Sequence, residues 1–335
     1  MFNQTTQRIF EQLACGEFRS GQQLGELLGI SRAAIGKHIN ALQELGLTIY
    51  SVTGKGYRLE NATPPLDSNK ITNLMPLSAP LTVEVNTVVD STNEVIKQKI
   101  LQGELSDVKS GYTVFAEAQT AGRGRRGRQW VSPLGSSLYF STHWRFEQGI
   151  SATMGLSLAV GIALTEALNE LGVAELGLKW PNDVYCQGKK LAGILIELES
   201  QGADSCDIVI GVGLNIKLPK QVSETIDQPY IDLSESGIEL DRNLIAATIL
   251  AKLQKTLVEF EANGFKGMVS RWNKFDCFVG HTVQLLIGQR VIEGIARGVD
   301  EQGGIVLSVD GNEQTFFGGE ISLRKVTTQT GRDNI

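Results

Sequence analysis

Four arginines interleaved with glycines lie within residues 122–128 and are the part of the chain best suited to chemistry. Like charges at this density repel one another, so an ordinary core or helix would not gather them. Each guanidinium offers a planar fork of donors that matches phosphate and carboxylate oxygens. The glycines allow the backbone to approach a ligand closely. The segment is therefore predicted to be a mobile anion clamp that orders around a phosphate-bearing ligand.

The same segment also satisfies G-x-G-x-x-G, the glycine pattern of dinucleotide-binding folds. That pattern requires a strand before the glycines and a helix after them, so that the helix N-terminus can hold a pyrophosphate. Residues 112–118 read as a strand, but residues 129–142 read as a turn and a second strand. Dinucleotide binding is therefore disfavoured. A solvated basic loop is the other alternative, and the aromatic-bearing strands on both sides argue against it.

Composition narrows the class of protein. A length of 335 residues predicts two or three domains, and 41% hydrophobic residues suffice for a core. The net charge of −6 excludes a globally basic nucleic-acid binder, so any DNA contact must be local. No run of eighteen apolar residues and no signal peptide is evident, which predicts a cytoplasmic protein without a membrane span. The four cysteines and three histidines are scattered, so neither a disulfide framework nor a transition-metal site is indicated.

Residues 1–62 have the pattern of a winged helix-turn-helix domain. Ile35, Ile39 and Leu42 are spaced as the inner face of a third helix that Ser31 caps, and a hairpin follows around residues 53–55. A three-helix protein-interaction module is the alternative. The polar residues left facing outward favour DNA, and the candidate DNA contacts are Gln22, Ser31, Arg32, Ala33, Lys37, His38, Asn40 and Lys55.

The rest of the chain divides into three parts. Residues 63–80 are rich in proline and poor in apolar residues, which predicts a linker. Residues 81–272 contain adjacent strands and fewer helices, which favours an α+β domain with a mixed sheet over a doubly wound fold. Residues 273–327 contain short strands separated by turns, which predicts a small SH3-like β-barrel.

Three further segments carry polar side chains whose placement suggests a site. Residues 179–183 follow an apolar strand, and a turn explains the proline and asparagine but not the lysine and tryptophan. Lys190 begins a strand, where a lysine is most often simply exposed, and Gly193 within that strand indicates close approach of a ligand or another backbone. Residues 91–93 begin a helix with more capping groups than one helix needs, and the surplus suits a small polar ligand.

Taken together, these segments resemble the bifunctional biotin protein ligases and biotin operon repressors of bacteria. The resemblance covers nearly the whole chain, and the segments that carry it are residues 91–93, 119–130, 179–183, 190–197, 211–215 and 318–324. It implies a class II synthetase-like central ligase domain. It also implies a two-step reaction, in which biotin and MgATP give biotinyl-5′-AMP and the biotinyl group passes to one lysine of the biotin carboxyl carrier protein of acetyl-CoA carboxylase. Finally, it implies that the biotinyl-AMP-bound homodimer represses the biotin operon by binding its operator.

The resemblance also assigns expected roles to residues on the biotin side of the site. Ser91, Thr92, Asn93 and Gln119 would bind the ureido head of biotin. The arginine loop would close over the carboxylate and the phosphate, with Arg128 next to the departing pyrophosphate, and its expected binding residues are Gly122, Arg123, Gly124, Arg125 and Arg128.

On the nucleotide side, Trp130 would pack over the adenine, and Lys190 would hold the reacting carboxylate and phosphate oxygens beside Gly193. Asn182 and Asp183 would lie near the magnesium ion or the incoming lysine amine, and whether protein side chains hold that ion is left open. Two further residues, Asn215 and Arg324, would contact the nucleotide. The residues expected to carry catalysis are Lys190, Arg123, Arg125 and Asp183.

Two alternatives compete with the bifunctional ligase. One is a DNA-binding sensor that binds biotin or its adenylate without catalysis, against which the intact lysine and arginines argue. The other is a related lipoate ligase with a different acyl group. For the homodimer, the apolar strand at residues 194–196 is the expected edge for extending the sheet between subunits.

Overall fold

The computed structural model describes residues 3–317 except 61–63, 77–80, 109, 202–204, 220–221, 223–225, 227 and 238–240. It gives only the backbone of residues 200–201 and 321–325.

Three short helices and a hairpin form the N-terminal domain, which confirms the predicted winged helix. Serine and asparagine caps begin the helices: Ser31 accepts a hydrogen bond from the Ala34 backbone, and Ser20 forms a capping box with Gln23. The elements are α1 (Gln4–Leu13), α2 (Gly21–Leu28), α3 (Arg32–Glu44), β1 (Ile49–Val52) and β2 (Gly56–Leu59).

The segment predicted to be a linker is in part firmly attached to the central domain. Helix α4 (Ser68–Leu74) lies within it, with Ile71 fully buried. Just before α4, the Arg242 guanidinium donates to the carbonyl oxygen of Pro64 at 2.9 Å, and Glu117 accepts from the Leu66 backbone at 2.6 Å. Despite its proline-rich composition, this segment therefore packs as part of the central domain. The exact limits of the domains stay predictions.

A seven-stranded mixed sheet forms the centre of the molecule, in the order β3-β4-β5-β9-β8-β7-β6. Strands β3 and β4 are parallel, and the other neighbours are antiparallel. The strands are β3 (Val83–Val89), β4 (Ser110–Gln119), β5 (Ser137–Phe146), β6 (Leu176–Lys179), β7 (Asp183–Cys186), β8 (Lys189–Gln201) and β9 (Cys206–Asn215), and the helices are α5 (Thr92–Leu101), α6 (Leu156–Glu170), α7 (Arg242–Asn263) and α8 (Val269–Phe275). This is the predicted α+β domain.

Helices cover both faces of the sheet. Helices α6 and α7 pack against each other over the main core, while α5 lies on the other face, where Ile96 contacts Val114 and Val209. The stretch Ile150–Glu170 has the length and apolar character of a membrane span. However, most side chains of α6 are buried against the sheet, α7 and α8, which is typical of a core helix.

Strand β8 is a sheet edge over only part of its length, and residues 194–196, which the sequence predicted as an edge, lie where that part begins. β8 pairs with β9 over Ala192–Gln201, and with β7 only over Lys189–Gly193. The first half of β8 is therefore interior to the sheet. Among the described pairings, the half that begins at Leu195 has a strand neighbour on one side only. The edge therefore begins within the apolar run at residues 194–196, and its use by a second subunit stays a prediction.

A five-stranded antiparallel sheet in the order β13-β12-β11-β10-β14 forms the C-terminal domain, in agreement with the predicted SH3-like architecture. Its strands are β10 (Thr282–Ile287), β11 (Arg290–Val299), β12 (Ile305–Val309), β13 (Asn312–Phe316) and β14 (Ile321–Lys325), the last of which the sequence did not indicate as a strand. The indole of Trp180, 1% exposed, donates to the Gly303 carbonyl oxygen at 3.0 Å. Trp180 is therefore a core residue that joins the central and C-terminal domains.

The winged helix also packs directly on the central domain. Leu134 follows the arginine loop and lies in the N-terminal core with Phe10 and Leu42. Its backbone N–H donates to the Leu45 carbonyl oxygen at 3.1 Å. Pro133 lies against Gly46, where an added Cβ would come within 2.9 Å of the proline ring. One short segment after the arginine loop thus contacts the DNA-binding domain.

Candidate ligand-binding site

A cavity of about 660 Å³ opens over β8 and β9, beneath the arginine loop and beside the N-terminus of α5. Its size lies within the range of sites for small molecules and cofactors. Six cationic side chains and one carboxylate line it, so its field favours an anionic ligand. The charged residues of the lining are Arg123, Arg125, Arg126, Arg128, Lys179, Lys190 and Asp183.

Polar groups at the start of α5 form one end of the cavity. Gln119, at the end of β4, accepts from the backbone and the hydroxyl of Thr92 at 2.9 and 3.2 Å. The Ser141 hydroxyl on β5 donates to Asn93 Oδ1 at 2.5 Å and lies 2.7 Å from the Thr92 hydroxyl. Within the described structure, Ser91 at the N-cap makes no capping hydrogen bond. The structure therefore brings Ser91, Thr92, Asn93 and Gln119 together in one polar pocket, and their contacts with a ligand stay a prediction.

Three glycines form the floor beneath this pocket. A Cβ on Gly211 would lie 2.2 Å from Asn93 Oδ1, and one on Gly213 would lie 2.4 Å from the Trp130 ring. Gly193 on the neighbouring strand faces the same indole, with a Cβ contact of 2.8 Å. Side chains at these positions would push Asn93 and the Trp130 indole out of place. The three glycines therefore allow both side chains to lie directly against the sheet.

Two carboxylates hold Arg123 on the outer side of the loop. Its guanidinium lies 3.3 Å from Glu94 and 3.1 Å from Glu197. Burial lowers the pKa of Arg123, but the charges and hydrogen bonds of Glu197 and Glu94 outweigh it, so the pKa is raised. Arg123 is therefore paired with two protein carboxylates.

Arg125 points inward instead. Its Nη1 donates to Asn182 Oδ1 at 3.1 Å, while the Asn182 Nδ2 donates to the Ile194 carbonyl oxygen at 2.9 Å. Burial, followed by the neighbouring charge of Arg126, lowers the pKa of Arg125 despite the opposing effect of Asp183. Asn182 thereby ties the loop to β8, a role that its position in a turn did not reveal.

Lys190 stands at the centre of the charged floor. Its Nζ lies 2.8 Å from Asp183 Oδ1 and 5.4 Å from the centroid of the Trp130 ring. Both charged side chains are mostly buried. The Lys190 ammonium and the face of the Trp130 indole therefore lie next to each other, which suits a ligand that carries both a phosphate and a flat ring.

Most of the predicted binding residues line the cavity, with three exceptions. Gly122 lies behind the cavity. The backbone N–H of Trp130 donates to the Gly122 carbonyl oxygen at 2.9 Å, and a Cβ on Gly122 would lie 2.5 Å from the Trp130 carbonyl oxygen. Asn215 donates to the Ile231 carbonyl oxygen at 3.2 Å and so fastens the segment that follows β9. The side chain of Arg324 lies outside the described residues. The residues that do line the cavity are Ser91, Thr92, Asn93, Gln119, Arg123, Gly124, Arg125, Arg128, Trp130, Asn182, Asp183, Lys190 and Gly193.

Four site residues escaped the sequence reasoning. Glu94 and Glu197 hold Arg123, Ser141 orders the α5 pocket, and Ser132 links Gln119 to the loop by accepting from its amide at 3.0 Å. Alternation along β8 and β5 could have placed Glu197 and Ser141 on the α5 face of the sheet. No pattern would have revealed their partners, because these lie on other elements.

Across the described residues, no group of three or more His, Cys, Asp or Glu side chains could hold a metal ion by itself. The cavity does offer Asp183. One carboxylate together with the phosphate oxygens of a ligand is a common way for proteins to hold Mg²⁺, so this lining fits a magnesium ion that arrives with a phosphate-bearing ligand.

The candidate DNA face lies on α2, α3 and the wing. Seven of the predicted contacts are exposed: Gln22, Ser31, Arg32, Ala33, Lys37, Asn40 and Lys55. The eighth, His38, is half-buried, and its Nδ1 lies 2.9 Å from the Thr6 hydroxyl of α1. His38 therefore packs the helices together, and the basic exposed groups near it remain the predicted contacts.

Comparison with known proteins agrees with this architecture. Residues 85–215 match the biotin/lipoate A/B protein ligase family, residues 5–58 match a helix-turn-helix domain, and residues 278–324 match the biotin protein ligase C-terminal domain. The Bifunctional ligase/repressor BirA of Escherichia coli is 46% identical over 317 residues, which are 95% of this chain and 96% of that protein. The protein of the same name from Salmonella typhimurium is 47% identical over 316 residues, 94% of this chain and 96% of that protein.

A solved structure gives the same result for the ligase part. The biotin protein ligase from Aquifex aeolicus, in complex with biotin and ATP, is 30% identical with a TM-score of 0.61, and the match covers 73% of this chain and 99% of that chain. The fold and the site therefore place the central and C-terminal regions among the biotin protein ligases. Within that class, the chain belongs to the family of bifunctional biotin ligases and repressors, because the identity extends through the winged helix as well.

Proposed function

We propose that this chain activates biotin with MgATP and transfers the biotinyl group to a lysine of the biotin carboxyl carrier protein of acetyl-CoA carboxylase. The observation that carries the proposal is the arrangement of one cavity. A neutral polar pocket at α5 lies at one end, and Lys190, Arg125 and the Trp130 indole lie at the other. The first suits the ureido head of biotin, and the second suits a phosphate next to an adenine.

In the first step, a carboxylate oxygen of biotin attacks the α-phosphorus of ATP. The bond from that phosphorus to the bridging oxygen breaks, and pyrophosphate leaves. Nucleophile and phosphate are both anionic, so the step requires positive charge at the point of attack. Lys190 and Arg125 supply it, with Arg128 of the same cavity placed for the departing pyrophosphate. No enzyme nucleophile is needed.

In the second step, the amine of the carrier lysine attacks the carbonyl carbon of biotinyl-AMP, and the bond to the phosphate oxygen breaks to release AMP. The amine must lose a proton as it attacks. Asp183 is the carboxylate of the cavity lining that can accept it once Lys190 has turned toward the ligand. The intermediate is a reactive anhydride, so a closed arginine loop protects it from water.

We infer further that the chain represses transcription as a homodimer bound to biotinyl-AMP, at an operator for biotin synthesis, in the cytoplasm. The exposed set on α3 and the wing supplies the groove and phosphate contacts. The half of β8 from Leu195 onward supplies a sheet edge for the second subunit.

The experiment that tests the ligase is release of pyrophosphate from ATP with biotin, with lipoate or with neither. Release that depends on biotin alone supports the proposal. Equal release with lipoate would indicate a different acyl group. Tight binding of biotin without any release would indicate a sensor that has lost catalysis.

A further inference from the structure

One carboxylate oxygen connects two parts of the site that lie far apart in sequence. The Oε2 of Glu197 accepts from Asn93 Nδ2 at 2.6 Å and from Arg123 Nη2 at 3.1 Å. Asn93 belongs to the α5 pocket, and Arg123 belongs to the arginine loop. Glu197 itself lies on β8, in the half that has a strand neighbour on one side only.

The bond to Glu197 fixes which way the Asn93 amide faces. Asn93 Nδ2 donates to the carboxylate, so Oδ1 is directed to the Ser141 hydroxyl, which donates to it at 2.5 Å. A carboxylate can only accept, and so it rules out the flipped amide. The orientation of Asn93, and with it the pattern of donors and acceptors offered to a ligand, therefore depends on Glu197.

The same carboxylate draws the arginine loop toward the sheet. Arg123 has a second acidic partner in Glu94, at 3.3 Å. Glu94 is the chain neighbour of Asn93, yet its other described hydrogen bond is to Gln98, one turn further along α5. Of the two carboxylates that hold Arg123, Glu197 is thus the one that also holds Asn93.

We propose that Glu197 is a positioning residue that makes biotin binding and closure of the arginine loop a single event. A ligand that orders Asn93 fixes the carboxylate, and the fixed carboxylate offers Arg123 a pre-oriented partner. Closing the loop would then require less loss of side-chain freedom than in the empty site. The inference rests on the assignment of the α5 pocket to the head of biotin.

Four variants separate the two bonds. Glu197→Ala removes both. Glu197→Gln keeps a carbonyl oxygen for Asn93 but removes the charge that attracts Arg123. Glu94→Ala is the matched control, since it removes a carboxylate from Arg123 without touching Asn93. Asn93→Ala tests the head pocket itself.

Two measurements are made on the full-length protein without ATP. Calorimetry gives the Kd for biotin, and limited digestion with trypsin at saturating biotin gives the rate of cleavage within residues 122–128. Glu197→Ala is expected to weaken biotin about tenfold, the effect typical of losing a hydrogen bond to a charged group, and to speed cleavage. Glu197→Gln is expected to speed cleavage and, because closure and binding are linked, to weaken biotin by a smaller factor of about threefold. Glu94→Ala is expected to keep both values near wild type, because Glu197 still holds Arg123 and Asn93.

Two results would overturn the inference without affecting the proposed ligase activity. One is a normal Kd in Glu197→Ala when Asn93→Ala binds weakly. The other is cleavage of Glu197→Gln at the wild-type rate, which decides the matter even if Glu197→Ala fails to fold. A normal Kd in Asn93→Ala would instead remove the biotin-head assignment, and the inference with it.

Discussion

The Lys190 ammonium lies 2.8 Å from the Oδ1 of Asp183, yet that oxygen has no well-aligned hydrogen bond among the described residues. The contact is short in distance but poor in angle. The pair therefore stabilises two mostly buried charges without locking the ammonium in place. A lysine held in this way can turn toward an incoming anion and leave Asp183 free as a proton acceptor.

Replacement of Lys190 by Gln tests that role. The variant keeps hydrogen bonding but loses the charge, so adenylation is expected to fall by orders of magnitude, because one preorganised electrostatic group commonly contributes about 3 kcal/mol or more to the transition state. Transfer from biotinyl-AMP prepared in advance should fall less. Rapid-quench measurement of the two half-reactions separates them. Lys189→Gln removes the adjacent, exposed lysine and serves as control. Near-normal adenylation by Lys190→Gln would refute the assignment.

Arg125 is expected to act as a latch on the intermediate. The bond from Arg125 to Asn182 holds the loop over the cavity at 3.1 Å. Arg125→Gly should therefore weaken retention of biotinyl-AMP more than its synthesis, and escaped adenylate should label lysines on unrelated proteins. Arg290→Gly is the control, because Arg290 is an exposed arginine of β11 that does not line the cavity. The dissociation rate of radiolabelled adenylate is the measurement, and retention as tight as wild type with collapsed synthesis contradicts the latch.

Gly213 should be essential for the nucleotide end of the cavity. In Gly213→Ala the new methyl would lie 2.4 Å from the Trp130 ring, so the indole must move. The KM for ATP is expected to rise at least about tenfold, since base–aromatic stacking contributes about 1–3 kcal/mol per base. The Kd for biotin should change little. Gly267→Ala adds the same methyl where nothing lies within 4 Å and should leave both constants unchanged. An unaltered KM for ATP in Gly213→Ala would separate Trp130 from adenine binding.

The sequence predicted chemistry better than it predicted contacts. Residues 91–93, 122–130 and 179–193 could be recognised as site segments because their residue types conflict with plain structural roles. Trp180 shows the limit of that reasoning: a tryptophan at a strand end next to a lysine looked functional, and it does line the cavity, but its indole is buried and donates to the Gly303 carbonyl oxygen. Burial depends on the C-terminal domain, more than a hundred residues away in the chain.

Linker composition misled for a related reason. Prolines and few apolar residues predict an exposed connector, and nothing local indicates that Arg242 and Glu117 bind residues 64–66. The two partners are separated by 125 residues in sequence. Pairing of this kind is set by tertiary packing, which periodicity along one segment does not encode.

The buried pair of Arg242 and Glu117 should contribute strongly to stability. Its atoms lie 2.8 Å apart, and the side chains are 1% and 3% exposed. Glu117→Gln leaves a buried guanidinium without its counter-charge, so the free energy of unfolding is expected to fall by about 3–5 kcal/mol. The double variant Glu117→Leu with Arg242→Leu should lose less than the two single leucine variants added together, because neither charge is then left alone. Urea denaturation measures both, and strictly additive losses would mean that the pair has no coupling.

Dimerisation, adenylate and operator binding are expected to depend on one another. A single winged helix makes few contacts on an acidic chain, so tight specific binding requires two copies on a two-fold operator.

Leu198, 40% exposed on the half of β8 with one strand neighbour, lies where the sheet of a second subunit would add. Leu198→Lys should therefore abolish adenylate-induced dimers and weaken operator binding while adenylate synthesis persists, since a lysine on an edge opposes strand pairing. Val258→Lys changes a more exposed apolar residue on α7, 56% exposed, and serves as control. Sedimentation and operator titration, each with and without biotinyl-AMP, measure the two effects, and the carrier protein should compete with dimer formation if it uses the same edge. Unchanged oligomeric state and operator affinity in the presence of ligand would mean that the winged helix is not regulated through this surface.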